Sequence, residues 1–380
     1  MIKFNSPHQV LSFSKSELAA AMEIENLAGD GPFNSKVRYK LEQILKSQLA
    51  FLTPSCTAAL ELAALVLDIK TGDEVILPSN TFVSTANAFV LRGATPVFVD
   101  CDPRTLNMCP MQVEAAITDN TKCIVPVHYA GVSCAMSELT SLTENKNIFI
   151  VEDAAQAIGS KYGGKPVGTF GNVSTFSFHN TKNIVCGEGG AFILNDKRLV
   201  PSAEILREKG TDRSRFMNGE VDKYSWVSVG SSFLLSELCA ATISGQLTNL
   251  RKITSYRLNL WHRYYSALKL LEDRELLKLP YVPDNCEHNG HMFFVILNDK
   301  IDRQSVIKKM AEKGVKVVSH YVPLHSSPGG LKYGRFTSNM EVTNRISQKL
   351  IRLPMYYGLS ENDQAQVIEC LVDTMEACIV

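Results

Sequence analysis

Lys182 closes the run Ser-Phe-His-Asn-Thr-Lys (177–182) and is followed, after four residues, by Gly187-Glu188-Gly189-Gly190. Asp153 lies 29 residues upstream in Val151-Glu152-Asp153, at the end of an apolar stretch. An amine and a carboxylate in this order suit one chemistry. The amine can hold pyridoxal 5'-phosphate (PLP) as a Schiff base, while the carboxylate keeps the pyridine nitrogen protonated and deepens the electron sink. A free lysine has a pKa of about 10.4, so only roughly one in two thousand is neutral at pH 7. Useful nucleophilicity needs that value lowered by about three units, a cost of about 4 kcal/mol, which desolvation beside a cationic ring supplies and a solvated loop does not. Taken alone, Lys182 also reads as a surface lysine, and Gly187–Gly190 as an ordinary tight turn. Asp153 alone also reads as a helix cap.

Other segments fit the same group. Thr53-Pro54-Ser55-Cys56-Thr57-Ala58 opens an Ala/Leu-rich stretch. Free N–H groups at a helix start suit a phosphate, with the Thr57 hydroxyl as an extra donor; simple N-capping by Ser55 or Thr53 is the alternative. Phe82, in Thr-Phe-Val-Ser-Thr (81–85), could stack on an aromatic ring or fill a core. Ala155 is small enough to lie against a ring, and Gln156 could hydrogen-bond its phenolic oxygen. Ser177 offers a further hydroxyl to phosphate.

The elements needed to position these residues are visible as patterns. Helical character is expected over Ser55–Leu67 and Phe82–Leu91. Strands are expected at Glu74–Leu77, Pro96–Val99, Cys123–Val127, Ile148–Val151, Val173–Phe178 and Ala191–Leu194. Near-continuous apolar strands separated by helices imply an α/β fold, with a mostly parallel sheet flanked by helices. Ligands of such sheets gather at the carboxyl ends of the strands. A long helix is expected from Leu235 to about Leu270. Beyond it, Met292–Leu297, Arg303–Lys313 and Val315–Val318 suggest a smaller C-terminal α+β domain. The expected division is a large coenzyme-binding domain over 1–250 and a small one over 251–380.

Composition narrows the partners. The 380 residues are 45% hydrophobic, and 39 basic residues balance 39 acidic ones. No global field favours nucleic acid or an anionic membrane. The N-terminus lacks a secretory apolar stretch and no run reaches membrane-span length, so a cytoplasmic location is expected. Ten cysteines lie at 56, 101, 109, 123, 134, 186, 239, 286, 370 and 378 without a Cys-x-x-Cys pair. They read as small core residues in a reducing compartment, and no metal site is expected. No Gly-x-Gly-x-x-Gly follows an early strand, which argues against a nicotinamide dehydrogenase.

The ordered set Ser-Cys-Thr-Ala-Ala (55–59), Thr-Phe-Val-Ser-Thr (81–85), Glu-Asp-Ala-Ala-Gln (152–156), Ser-Phe-His-Asn-Thr-Lys (177–182) and Gly-Glu-Gly-Gly-Ala (187–191) resembles the DegT/DnrJ/EryC1/StrS sugar-nucleotide aminotransferases over essentially the whole chain. The resemblance implies PLP-dependent transferase fold type I, a homodimer with sites at the subunit interface, and L-glutamate as amino donor. It makes Lys182 the coenzyme-bearing lysine, Asp153 the pyridine-nitrogen partner and Gln156 the contact to the ring oxygen. Phe82 and Ala155 would sandwich the ring. Thr57, Ala58 and Ser177 would hold the phosphate. Two departures stand out. Cys56 replaces a frequent Gly. Gly230–Leu238 carries Ser232 in place of the Asn that reaches the partner subunit's phosphate, and Leu234 in place of an Arg. Ser232 is carried over to that cross-subunit contact.

Within the family, Leu52–Ala58, Asn80–Ala94 and Val125–Val132 are most similar to the branch that aminates dTDP-4-dehydro-6-deoxy-D-glucose at C4. A 3-aminotransferase acting on a dTDP-3-keto sugar is the nearest alternative, and a non-catalytic regulator on the same scaffold is one from a different class. A sugar 3-dehydratase of this fold would carry His in place of Lys182. For the substrate, Arg213, Arg215 and Lys223 are candidate cations for its pyrophosphate, or simply solvated charges. The segment His320-Tyr321-Val322-Pro323-Leu324-His325 could line the sugar site, or His320 and His325 could be structural hydrogen-bonding residues.

Overall fold

Apolar runs of four or five residues build the central sheet. In the computed structural model, which describes residues 1–47 and 49–377, these are β1 (Leu49–Thr53), β2 (Glu74–Pro78), β3 (Thr95–Val99), β4 (Thr121–Ile124), β5 (Phe149–Asp153), β6 (Val173–Ser177) and β7 (Gly190–Leu194). Most of their residues are buried on both faces, which is why hydropathy does not alternate along them. The C-terminal strands that join the main sheet or the small one are β8 (Leu277–Lys278), β9 (Phe293–Leu297), β10 (Arg335–Phe336) and β11 (Leu350–Leu353), besides the two-residue strand Cys286–Glu287 that pairs with Lys161–Tyr162. The main sheet has eight strands in the order β1-β7-β6-β5-β4-β2-β3-β10. All run parallel except β7, which pairs antiparallel with both β1 and β6. The fold is thus the α/β architecture expected, a mostly parallel sheet with helices on both sides.

The helices are α1 (Pro32–Leu45), α2 (Cys56–Val66), α3 (Ser84–Val90), α4 (Glu237–Thr248), α5 (Leu250–Asp273), α6 (Arg303–Glu312) and α7 (Glu361–Glu376), with shorter ones between. Side-chain caps start several of them: Ser55 accepts from Ala58 N–H, Ser236 from Cys239 N–H, Asp302 from Ser305 N–H and Ser360 from Asp363 N–H. Glu237 caps a helix other than its own. Its fully buried carboxylate accepts from the N–H groups of Gly31, Phe33 and Asn34, and so ties the start of α1 to α4.

A second core lies between α5, α6, α7 and the small sheet β8-β9-β11, with Leu260, Tyr264, Phe293, Val306, Ile351 and Leu371 buried together. Ile2 joins that core and bridges Val315, while β10 returns to the edge of the main sheet beside β3. Three sequence expectations change here. The single helix over 235–270 is two helices broken at Asn249, whose side chain turns back to Gly245 O at 2.9 Å. Val315–Val318 forms no strand. Only Val315 and Val318 make isolated bridges, to Ile2 and Arg352. The strand expected over Cys123–Val127 stops at Ile124, with Val127 making one bridge to Asp153. Cys378 lies outside the described residues.

Candidate active site

β1, β2, β5 and β6 share one direction, so their carboxyl ends meet along one edge of the sheet. β1 ends at Thr53 and delivers Ser55–Thr57; β2 delivers Thr81–Thr85; β5 ends on Asp153; β6 ends on Ser177 and delivers the Lys182 loop. These four segments line one cavity of about 510 Å³. Its walls include Ser55, Cys56, Thr57, Phe82, Thr85, Asp153, Ala155, Gln156, Ser177 and Lys182, with His291, His320, Tyr321 and Arg352 from the C-terminal part.

Asp153 is buried at 4% exposure and held by donors. Thr85 Oγ1 donates to its Oδ2 at 2.8 Å and Ala155 N–H to its Oδ1 at 3.2 Å. Thr81 Oγ1 is 2.9 Å from Thr85 Oγ1; since the Thr85 proton is committed to Asp153, Thr81 is the donor in that pair. The residues after Asp153 are turns rather than a helix, so Asp153 caps none there. Its neighbour Glu152 points into the other side of the sheet. It accepts from Gly168, Phe170 and Gly171 N–H groups and contacts His128 Nε2 at 3.1 Å, a fully paired structural carboxylate.

Lys182 N–H donates to His179 O at 2.9 Å, which fixes the loop, while its Nζ has no hydrogen-bond partner among the described residues. Burial pushes its ammonium below the usual lysine value. Cys56 and the Asp153 carboxylate oppose that push, and Arg352 adds to it. Gly187 turns the loop with φ +90°, a conformation other residues resist. Gly190 is needed for a different reason: a Cβ there would meet Cys56 N and Ser55 C at 2.5 Å, so glycine lets β7 abut the start of α2.

The remaining sequence candidates divide clearly. Gln156 accepts from Ala130 N–H through Oε1 at 2.7 Å, which leaves its amide nitrogen facing Tyr321 OH at 3.3 Å, as a donor in the cavity. Phe82 is 57% exposed with its ring centroid 6.3 Å from that of Tyr321; it is no core residue. Thr57 Oγ1 pairs with Ser84 Oγ at 2.8 Å. Both readings of the 53–58 segment hold. Ser55 caps α2 through Ala58 N–H at 3.0 Å, and the N–H groups of Cys56 and Thr57 stay at the open helix end. Ala58, expected at the phosphate, spends its N–H on that cap and does not line the cavity. Ser177 lines the cavity and accepts only a long 3.4 Å bond from His179 N–H.

Other candidates stand apart from this cavity. Ser232 is exposed and bridges Glu208. Arg213 pairs with Glu208 at 2.9 Å, Arg215 with Glu220 at 3.2 Å, and Lys223 is exposed. His325 is held by the structure: its Nδ1 is 2.7 Å from Ser79 Oγ, and its backbone N–H donates to the same oxygen at 3.1 Å. His320 does line the cavity, with Nε2 3.1 Å from Tyr129 OH. Burial, then the charges of Arg352 and Lys182, hold its imidazole well below the usual value.

The donor set fits PLP: an amine, a buried carboxylate, an open helix end, an amide donor and an exposed ring surround one cavity. The comparisons agree. Residues 11–372 match the DegT/DnrJ/EryC1/StrS aminotransferase family. The chain belongs to that family. It is 30% identical to the spore coat polysaccharide biosynthesis protein SpsC of Bacillus subtilis, over 97% of both chains. It superposes on DesV of S. venezuelae with a TM-score of 0.89, 28% identity and coverage of 99% of this chain and 98% of that one. Spr1654 of Streptococcus pneumoniae, solved in PLP and PMP forms, gives a TM-score of 0.88 at 25% identity, over 97% of both chains. The family enzyme is a PLP-dependent sugar aminotransferase of fold type I.

Arg352, His291 and Thr85 were not singled out from the sequence, whereas Tyr321 lies in the 320–325 segment expected at the sugar site and does line the cavity. Only Thr85 carried a signal, as the last residue of a motif already singled out.

Proposed function

We propose that this enzyme transfers the amino group of L-glutamate to C4 of dTDP-4-dehydro-6-deoxy-D-glucose. The product, dTDP-4-amino-4,6-dideoxy-D-galactose, serves surface polysaccharide synthesis in a cytoplasmic homodimer. The observation that carries the aminotransfer chemistry is the convergence of Lys182 and Asp153 on one cavity. The sugar assignment is supported by the resemblance of 52–58, 80–94 and 125–132 to the C4 branch, and the pathway by the name of SpsC.

PLP bound here supplies an electron sink for the carbon that gains or loses the amine. In this reading Lys182 anchors the coenzyme and, once freed, carries the proton to and from the reacting carbon. Its depressed pKa serves that task, because a neutral amine must exist near pH 7. Asp153 holds the pyridine nitrogen protonated. Thr85 fixes the carboxylate rotamer so that one edge stays aimed at the ring. The Gln156 amide meets the ring oxygen, and Phe82 and Ala155 close on the two ring faces. Thr57, Ser177 and the open N–H groups of Cys56 and Thr57 hold the phosphate, joined by Ser232 of the partner subunit. A division of labour between residues 1–250 and 251–380 belongs to the same reading, with the second part closing the sugar side through His320 and Tyr321.

The test is incubation of the purified protein with glutamate and dTDP-keto-sugars, followed by NMR of the product. An amine at C4 with the galacto configuration is expected. An amine at C3, or turnover only with another nucleotide, overturns the assignment.

A further inference from the structure

Arg352 lines the Lys182 cavity and is not among the residues assigned above to the coenzyme. Its strand fixes it firmly. Arg352 lies in β11 opposite Phe294, and its N–H donates to Val318 O at 2.7 Å. Its guanidinium is not satisfied in the same way. Nε is buried without a partner, and no carboxylate approaches within ion-pair distance among the described residues. The guanidinium sits over the Phe4 ring, 4.9 Å from the centroid. Arg257 shows the contrast. It too is deeply buried, but it donates to the carbonyls of Gly290, His291 and Met355 and is consumed by the structure. Arg38, Arg207 and Arg303 also leave Nε unbonded, yet none of them borders this cavity.

A buried cation without a counter-charge is unfavourable, and an arginine does not escape by losing its proton. The anion must come with a ligand. The planar fork of N–H donors matches a carboxylate with two parallel bonds. Two anions are expected at such a site: the carboxylate of the amino donor and the diphosphate of the sugar nucleotide. Their positions differ. In an amino acid the carboxylate is attached to the carbon that carries the amine, so it must sit beside Lys182. In the sugar nucleotide the diphosphate is on C1, across the ring from C4. Arg352 is close enough to Lys182, His320 and His291 for its charge to act on all three. The neighbouring imidazoles and phenols are neutral, so among the described residues Arg352 is the one permanent cation beside Lys182 in the cavity lining, and Tyr321, which only accepts from Gln156, keeps its own O–H as an auxiliary donor. His291 Nδ1 is 3.0 Å from Asn183 Oδ1, and His320 Nε2 is 3.1 Å from Tyr129 OH.

We propose that Arg352 is the anchor for the α-carboxylate of the amino donor, a substrate-positioning contact supplied by β11 to the first half-reaction alone. This rests on the donor half of the function proposed above. The experiment uses the PLP-loaded full chain as wild type, Arg352→Gln and Arg352→Lys, with unchanged thermal midpoint as the check on folding. Each half-reaction is followed separately by absorbance. Arg352→Gln is expected to lose about 10- to 100-fold in the glutamate half-reaction, mainly through KM, because a charge-assisted pair is removed. Reaction of the PMP-loaded form with the keto sugar is expected to change by less than about threefold. Arg352→Lys restores part of the glutamate effect, as a point charge in place of a fork. Calorimetric titration with glutarate gives a readout apart from turnover: its Kd is expected to rise in Arg352→Gln by a similar factor. Equal or larger loss in the sugar half-reaction, or unchanged glutarate binding, overturns the proposal. A wild type inert to glutamate but active with another amino acid refutes the glutamate assignment instead, and the comparison is then read with that amino acid.

Discussion

Thr85 Oγ1 donates a 2.8 Å hydrogen bond to Asp153 Oδ2 inside a cavity that both residues share with Lys182. The bond selects one carboxylate rotamer, and Thr81 behind it selects the Thr85 rotamer. A carboxylate held in this way meets a pyridine nitrogen without reorganising. Thr85→Val keeps the shape and removes the donor. We expect turnover to fall by about tenfold at saturating coenzyme, in line with the loss of one bond to a charged group. Asp153→Asn is expected to retain coenzyme yet lose at least about a hundredfold in turnover. Steady-state kinetics on both variants check this, and full activity in Asp153→Asn contradicts the pyridinium role.

Thr57 sits at the open end of α2 with its hydroxyl tied to Ser84. Thr57→Val is expected to weaken PLP binding by about tenfold, without altering turnover of the fully loaded enzyme by more than about twofold. Equilibrium dialysis against PLP measures the first. An unchanged Kd places the phosphate elsewhere.

Phe82 separates a ring-stacking role from a packing one. It is 57% exposed, so Phe82→Ala is expected to cost the apoprotein less than about 0.5 kcal/mol. A buried phenylalanine such as Phe176 should cost about 3–5 kcal/mol on the same change. Coenzyme affinity is expected to fall in Phe82→Ala. Urea unfolding of the apoprotein and PLP titration together decide the matter; a large stability loss with intact affinity contradicts stacking.

Acid should destabilise the apoprotein through its buried imidazoles. Burial, with His262 adding to it, lowers His288 to about 4, and burial pushes His291 and His320 well below the usual value. Each therefore binds its proton less readily folded than unfolded. Between about pH 6.5 and 4 the unfolded chain holds the extra proton, so stability falls as pH falls through that window. The slope approaches about 1.4 kcal/mol per pH unit for each such group. Urea midpoints from pH 7 to 5 test it, and His288→Asn should flatten the slope by up to one such increment. A midpoint that rises on acidification contradicts the assignment.

What the sequence revealed follows from where each residue lies. Asp153, Ser177 and Lys182 were legible because they stand at or just past apolar strand runs, and parallel strands put such positions on one edge. Thr57 was legible because Ser55 marks a helix start. Arg352 and His291 were not, because they come from the C-terminal part and reach the cavity through tertiary packing alone. Val315–Val318 misled for a related reason. Its β-branched residues fill the second core, with Val315 and Val317 buried, but only single bridges form beside them. Asn249 did carry a signal, since Asn near a helix end often terminates it. Arg213 and Lys223 lie in a polar loop where charge alone does not separate a pyrophosphate contact from a solvated group: Arg213 pairs with Glu208, and Lys223 faces solvent.

The account stands on Lys182 carrying the coenzyme opposite Asp153. Borohydride reduction of the PLP-loaded protein, followed by peptide mass spectrometry, reads that attachment directly. A pyridoxyl-phosphate mass fixed on the peptide containing Lys182, and absent in Lys182→Ala, is the expected result. Labelling of another lysine, or none after saturation with PLP, would contradict it.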